Sequence, residues 1–345
     1  STRTFIALGT SKVVAEDTIT KGRIILLEIY FATREDEEEK GEGKAKNKLS
    51  LRAYSQYEKG PVCCIEQMEG NLIIAVAAKV LMYQWDMDKR QLIGRGFYDC
   101  EIYIVKMRVM RNYLLAGDYC QGLHLIAWDF DMRLLVNVAR DPYHSEVTDV
   151  EYAISGDNLG LVCANTERKL QVYRFLPSDE ESRKGQKLLI YASTKLPVRT
   201  SSLLMLRARD IPSLEENKKR KQPGLPPPKP VTTTRSITLG ACLEGGLYSL
   251  VPLDPIVHRR TLAVCLSMLR SVPMTAGINP LGARQEGSGS HRLAKAKQIV
   301  DGDLLWMYVG LSSIMQERVA TNIGTTRDVV IENLLELQLA TTLAA

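Results

Sequence analysis

Four histidines, seven cysteines and forty acidic residues are the groups of this 345-residue chain that could do chemistry, and their spacing argues against it. His124, His144, His258 and His291 are scattered, and no Cys-x-x-Cys or His-x-x-x-His pair supplies metal spacing. No Gly-x-x-x-x-Gly-Lys-Ser/Thr loop is present to cradle phosphates. Gly94-Arg95-Gly96 and Gly287-Ser288-Gly289 lack the later glycine that a dinucleotide loop needs. Asp301-Gly302-Asp303 could pair two carboxylates, but it opens an expected helix, where Asp caps the free N–H groups and complements the dipole. Cys63 and Cys64 are neighbours in an expected strand, which turns them to opposite faces and away from each other. The cysteines read as small buried apolar residues, and an odd number without scaffold spacing points to a reducing compartment. No catalytic residue, metal or cofactor is expected, and the chain reads as no enzyme.

The elements that position these residues repeat. GRIILLEIY, KVLMYQW, GLHLIAW, KLQVYRF and GLYSLVPL begin at Gly22, Lys79, Gly122, Lys169 and Gly246, at intervals of 57, 43, 47 and 77 residues. Two intervals sit near the ~40–45 residue period of four-stranded propeller blades, and the two longer ones contain insertions. The strand candidates group as quartets: 47–57, 61–68, 71–78 and 79–85; then 90–99, 101–110, 112–119 and 122–128; then 132–139, 146–154, 159–165 and 169–175; then 187–195, 199–209, 236–243 and 246–253. Turn signals such as Glu69-Gly70-Asn71 and Ser155-Gly156-Asp157-Asn158 separate them. LIIAVAA (72–78) is apolar throughout, as a strand buried on both faces should be, whereas KLSLRAYSQY alternates. Before the first quartet stand only TFIALGTS (4–11) and GRIILLEIY (22–30), a half-blade. The expectation is therefore mainly β: a partial β-propeller, four to five blades of seven, over 1–254. With no initiator Met or leader before the first strand, it is a piece whose other blades lie upstream, because an open propeller leaves unpaired edges.

From 255 to 345 the pattern turns helical, giving a small all-α C-terminal domain of four or five helices. Leu304, Tyr308, Leu311 and Met315 recur at i, i+4, i+7 and i+11, one face of one helix. With Trp306 they form the expected packing or interface set. Ala320, Gly324 and Val330 have helix-turn-helix spacing, but a recognition helix carrying Asp328, Glu332, Glu336 and only Arg327 suits phosphate badly, and a plain helical corner is favoured. The net charge of +5 is not focused on any one element. The longest uncharged apolar run is far shorter than the ~18 residues of a membrane span. Two insertions interrupt the repeats: an acid-then-lysine loop at 33–48 and the proline-rich stretch 210–235. The second contains Lys218, Lys219, Arg220 and Lys221, which either form a nuclear-import tag or merely solubilise an exposed loop.

These residues carry a resemblance. IVDGDLLWMYVGLS (299–312) is similar to a segment shared by the large multi-propeller family of the cleavage and polyadenylation specificity factor A subunit, the UV-damaged-DNA-binding large subunit and the splicing factor 3b propeller subunit. EDTITKGRIILLEI (16–29), AGINPLGAR (276–284) and the ending IGTTRDVVIENLLEL resemble the polyadenylation branch. The likeness is weakest in the insertions and in 281–292, where GARQEGSGSH departs from the pattern. It implies most of a third propeller plus the helical domain, in a nuclear, non-catalytic scaffold of pre-mRNA 3'-end processing. The scaffold would hold a WD-repeat subunit and a CCCH zinc-finger subunit that read the polyadenylation signal, and would meet RNA mainly through them. A membrane or small-molecule substrate is not implied. The alternatives are an adaptor of the ubiquitin-ligase or splicing branch, and direct nucleic-acid binding through the tail.

Prolines at 223, 226, 227, 228 and 230 bar helix and ladder in the second insertion. Limited proteolysis is expected to cut first near Lys218–Lys221. Replacing 212–232 by a short Gly/Ser linker is expected to leave the melting temperature nearly unchanged, because closure entropy grows by only about 0.6 kcal/mol per doubling of loop length. Unfolding on deletion would make the insertion structural.

Overall fold

The computed structural model describes residues 4–12, 20–30, 48–55, 58–207, 236–272 and 297–342. The basic run Lys218–Lys221, nearly all of both insertions and the segment around 281–292 lie outside the described residues. The fold is mainly β, with five consecutive antiparallel sheets of a partial propeller followed by helices. The first sheet is β1 (Phe5–Gly9), β2 (Ile24–Tyr30) and β3 (Lys48–Tyr54). The second is β4 (Val62–Met68), β5 (Asn71–Val76), β6 (Lys79–Asp86) and β7 (Gln91–Asp99). The third is β8 (Ile104–Met110), β9 (Tyr113–Asp118), β10 (Gly122–Asp129) and β11 (Leu134–Arg140). The fourth is β12 (Val147–Ser155), β13 (Asn158–Asn165), β14 (Lys169–Arg174) and β15 (Leu189–Lys195). The fifth is β16 (Thr200–Arg207), β17 (Ser236–Cys242) and β18 (Leu247–Leu250). A two-residue strand, β19 (Lys297–Gln298), adds to β15 in parallel, Ala192 opposite Lys297. It is too short and polar to have shown as a strand in the sequence.

All eighteen expected strands form, but the grouping into quartets is one strand out of phase. Residues 48–54 close the first sheet rather than opening the second, so the half-blade has three strands; likewise 91–99 pairs back onto β6. Turn chemistry decides this. Asp86 Oδ1 accepts the N–H groups of Asp88 and Lys89, closing a tight hairpin between β6 and β7. The same device returns 43 residues later, where Asp129 Oδ1 accepts from Asp131 and Met132. Arg90 and Arg133 complete the two turns at φ +50° and +52°. A repeated Trp-Asp-x-Asp-x-Arg, at Trp85–Arg90 and Trp128–Arg133, was thus present in the sequence as a hairpin signal.

The chain divides into two compact units: Ser1–Val150 with Arg183–Lys187, and Glu151–Ser182 with Leu188–Ala345. In the first, β5 is the central case. Ile73 and Ala75 enter a cluster with Met107, Leu114 and Ile126, whereas Ile74 and Val76 pack with Ile24 and Leu26. Alternate residues of one strand therefore feed two cores, as blade stacking requires. Gly96 permits one of these close approaches, since a Cβ there would lie 3.0 Å from the Trp128 ring. Asp118, fully buried, accepts N–H bonds from Ile102 and Tyr103 on one oxygen and from Cys120 and Gln121 on the other, tying the entry to β8 onto the end of β9. Cys63 and Cys64 do not face opposite sides. A bulge between Val62 and Cys64 suspends the alternation, and both pack on the same cluster, Cys63 meeting the Tyr103 hydroxyl and Cys64 the Met107 carbonyl.

In the second unit, Val162, Ala164 and Leu170 pack against Leu203 of the fifth sheet. Side-chain bonds join these sheets: Ile154 N–H donates to Ser236 Oγ at 2.6 Å, Ser236 Oγ donates to the Ile154 carbonyl at 3.3 Å, and Met205 N–H donates to Glu151 Oε2 at 3.3 Å. Four helices follow among the described residues: α1 (Pro255–Ser271), α2 (Gly302–Trp306), α3 (Ser313–Asn322) and α4 (Arg327–Thr342). Val264 and Met268 of α1 meet Leu304, Val319, Val330 and Leu334 in one cluster.

The first sheet has an apolar second face. Leu27 stands opposite both Ile6 and Leu51, and Ile6, Leu8, Leu49 and Leu51 are exposed, the last two by 61% and 58%. Burying a leucine contributes roughly 1.5–3 kcal/mol, so the isolated chain is expected to self-associate through this face. Leu49→Lys with Leu51→Lys should lower the association constant in sedimentation by about tenfold or more. Unchanged association would show that another surface is the adhesive one.

Candidate protein-interaction site

The four residues expected on one helical face, Leu304, Tyr308, Leu311 and Met315, are not on one helix. Asp301 caps α2, its Oδ1 accepting from Asp303 N–H at 3.0 Å, so the acidic pair serves as a cap. The helix then ends at Trp306. Successive N–H groups from Tyr308 to Leu311 bond three residues back, a tight 3₁₀-like run through Gly310, before α3 starts after Ser312. Leu304 and Tyr308 are buried in the helical cluster, Leu311 is partly buried against it, and Met315 lies on α3, also partly buried. Trp306 faces outward, 43% exposed.

Gln316 holds this corner. Its Nε2 donates to the carbonyls of Tyr308 and Val309 at 3.0 and 3.3 Å, and the Tyr308 hydroxyl donates to the Gln316 carbonyl at 2.9 Å. Arg327 Nε donates to Gln316 Oε1 at 2.8 Å. The arginine that alone favoured phosphate in the tail is thereby engaged at the start of α4. Ala320 and Val330 are buried on either side of the turn, where Gly324 adopts φ +74°. The spacing is that of a helical corner packed into the cluster. Sequence periodicity could not show Gln316, because a polar residue between apolar ones looks like a solvated position.

The corner leaves apolar side chains outside. Trp306, Met307, Val309 and Ile314 are 43%, 46%, 54% and 77% exposed within one short segment. Beside Trp306, wholly within the second unit, lies a cavity of about 360 Å³ between the end of the fourth sheet, the chain leaving β18, and α1, α2 and α4. Its walls are mainly apolar, among them Val172, Leu250, Leu305, Leu334 and Leu337. Val172 and Arg174, two apart on β14, both reach it. The Arg174 guanidinium stacks on the Tyr191 ring with its carbon 3.4 Å from the centroid.

Groups elsewhere that could do chemistry are subdued by burial. Desolvation pushes the thiols of Cys100 and Cys265 up to about 12 and raises that of Cys64, so all three stay protonated and poorly nucleophilic. His124 is buried edge-on to Tyr98, with neither ring nitrogen hydrogen-bonded among the described residues. Burial lowers its pKa and keeps the ring neutral. Among the described residues no group of three His, Cys, Asp or Glu could hold a metal ion, and no helix is long and apolar enough to cross a membrane.

The family description "CPSF A subunit region" matches residues 1–310, spanning every sheet and the start of the helical corner. The chain belongs to the CPSF A subunit family. It is 28% identical over 339 residues to the probable cleavage and polyadenylation specificity factor subunit 1 of Oryza sativa subsp. japonica, covering 98% of this chain and 22% of that protein. It is 28% identical to the Arabidopsis thaliana subunit 1 over 340 residues and 26% identical to that of Drosophila melanogaster over 336, covering 98% and 97% of this chain and 22% of each relative. It thus spans about a fifth of the length of these relatives.

In this chain, Gln316→Ala is expected to destabilise by roughly 1–3 kcal/mol, since the Tyr308 and Val309 carbonyls and Arg327 lose their partner together. Tyr308→Phe, which removes one hydroxyl bond, should cost about 1 kcal/mol. Urea denaturation measures both. A Gln316→Ala midpoint equal to wild type would mean that the backbone alone holds the corner.

Proposed function

We propose that this region serves as a non-catalytic scaffold in nuclear pre-mRNA 3'-end cleavage and polyadenylation, presenting surfaces to other subunits and carrying out no reaction itself. The names of the relatives, cleavage and polyadenylation specificity factor subunit 1, support the process. The observation that carries the scaffold role is the exposed apolar segment Trp306–Ile314 beside a packed helical cluster, since contiguous exposed apolar area marks an interface. In this proposal residues 1–254 are propeller blades and 255–345 a helical domain. Trp306 and its neighbours, with Leu304, Tyr308, Leu311 and Met315 behind them, form the contact with a partner subunit or a neighbouring blade. The partners are the WD-repeat and CCCH zinc-finger subunits, through which RNA is read. The inert thiols and the engagement of Arg327 with Gln316 favour this role over redox chemistry or direct phosphate binding by the tail.

The test is expression of the longer protein with Trp306→Ala or Arg327→Ala, scoring melting, co-purification of polyadenylation subunits, and RNA affinity at two salt concentrations. Trp306→Ala, at a half-exposed site, should cost less than the ~3–5 kcal/mol of a core tryptophan and weaken co-purification. Arg327→Ala should lower stability and leave RNA affinity unchanged. A selective, salt-sensitive RNA defect in Arg327→Ala, with folding and assembly intact, would overturn the scaffold role.

A further inference from the structure

Arg174 is partly buried at the cavity beside Trp306, yet its guanidinium has no hydrogen bond or ion pair with any described residue. Among the described residues its one specific contact is the Tyr191 ring, 3.4 Å from the guanidinium carbon. A stacked guanidinium is held in one orientation with its N–H donors still free, an arrangement suited to a planar, bidentate carboxylate. The other titratable side chains at the cavity, Asp254 and His258, are each engaged within the chain. Adjoining the guanidinium is an apolar floor, with Leu305 and Leu334 almost fully buried and Val172 and Leu337 partly so. The volume of about 360 Å³ falls in the range of roughly 300–1,000 Å³ typical of ligand sites.

We propose that this cavity receives a short acidic-apolar segment of a partner protein: an Asp or Glu carboxylate on Arg174, and a neighbouring leucine- or phenylalanine-type side chain on the floor formed by Val172, Leu305 and Leu337. The complementarity is one cation to one anion within apolar walls. A nucleic-acid backbone would present several phosphates to a single arginine within apolar walls. The proposal extends the scaffold role by naming the chemistry of one partner contact, and rests on it.

Short fluorescein-labelled peptides pairing Glu or Asp with Leu or Phe provide the probe, read by anisotropy on the full chain kept below the concentration at which it associates. Saturable binding is expected, with a loss of about tenfold when the peptide acids become Gln or Asn, and a similar loss in Arg174→Gln. Arg174→Lys should recover part of it, because an ammonium keeps the charge without the bidentate fork. Leu337→Trp, which fills the floor, should also weaken binding. At most a small drop in melting temperature is expected for Arg174→Gln, since among the described residues the guanidinium only stacks on the Tyr191 ring. Absence of saturable binding, equal binding of the amide peptides, indifference to Arg174, or stronger competition by an oligouridylate would each overturn the proposal. Co-purification with Trp306→Ala reads the scaffold role separately, so failure of one is distinguishable from failure of the other.

Discussion

A strand that is apolar on both faces must be covered on both, and most of this structure follows from that requirement. β5 sends Ile73 and Ala75 to one core and Ile74 and Val76 to another, so its sheet is stable only between two neighbours. The same need recurs in the fourth and fifth sheets, where Val162 and Ala164 pack on Leu203. It also explains the exposed Ile6, Leu8, Leu49 and Leu51 of the first sheet: the residue types that stack the other blades occur there without a cover among the described residues. Burial is thus the driving force, and the sheet face is the unit in which it is satisfied.

Stacked sheets still need their connections fixed, and buried carboxylates do this where apolar packing cannot. Asp118 satisfies four backbone N–H groups that would otherwise be stranded at the junction of β8 and β9. Asp86 and Asp129 serve the same purpose at the hairpins, on the surface. In the helical part Gln316 has the equivalent task, converting what would be a continuous amphipathic helix into a corner. That corner turns Tyr308 inward and Trp306 outward. The exposed apolar side chains therefore sit on a turn that the buried Gln316 amide braces.

Several acidic and thiol groups are taken up by structure, which suits the proposed scaffold role. Asp301 caps a helix, Asp118 ties a junction, and Cys100 and Cys265 are kept protonated by burial. Arg174 stands apart, oriented by a ring and with no hydrogen bond or ion pair to another described residue. The surface proposed for a partner combines apolar area with one placed charge, the usual composition of an interface core.

What the sequence determined by itself was local. Strand positions were legible because period-two patterning and turn residues act over a few neighbours, and β5 was recognisable as a doubly buried strand from LIIAVAA alone. The last helix and the Asp301 cap were legible for the same reason. The grouping of strands into sheets was not, because which side a strand pairs with depends on the hairpin geometry at Asp86 and Asp129. Nor was the pleat at Cys63 and Cys64, where a bulge overrides alternation. The site was hardest of all. Val172 and Arg174 come from one part of the chain and Leu305, Trp306 and Leu337 from another, and only packing of helices beside a sheet end brings them to one cavity. Periodicity records which side of an element is apolar. It carries no information about which distant element will cover that side, and so tertiary structure alone decided where the apolar surface stays open.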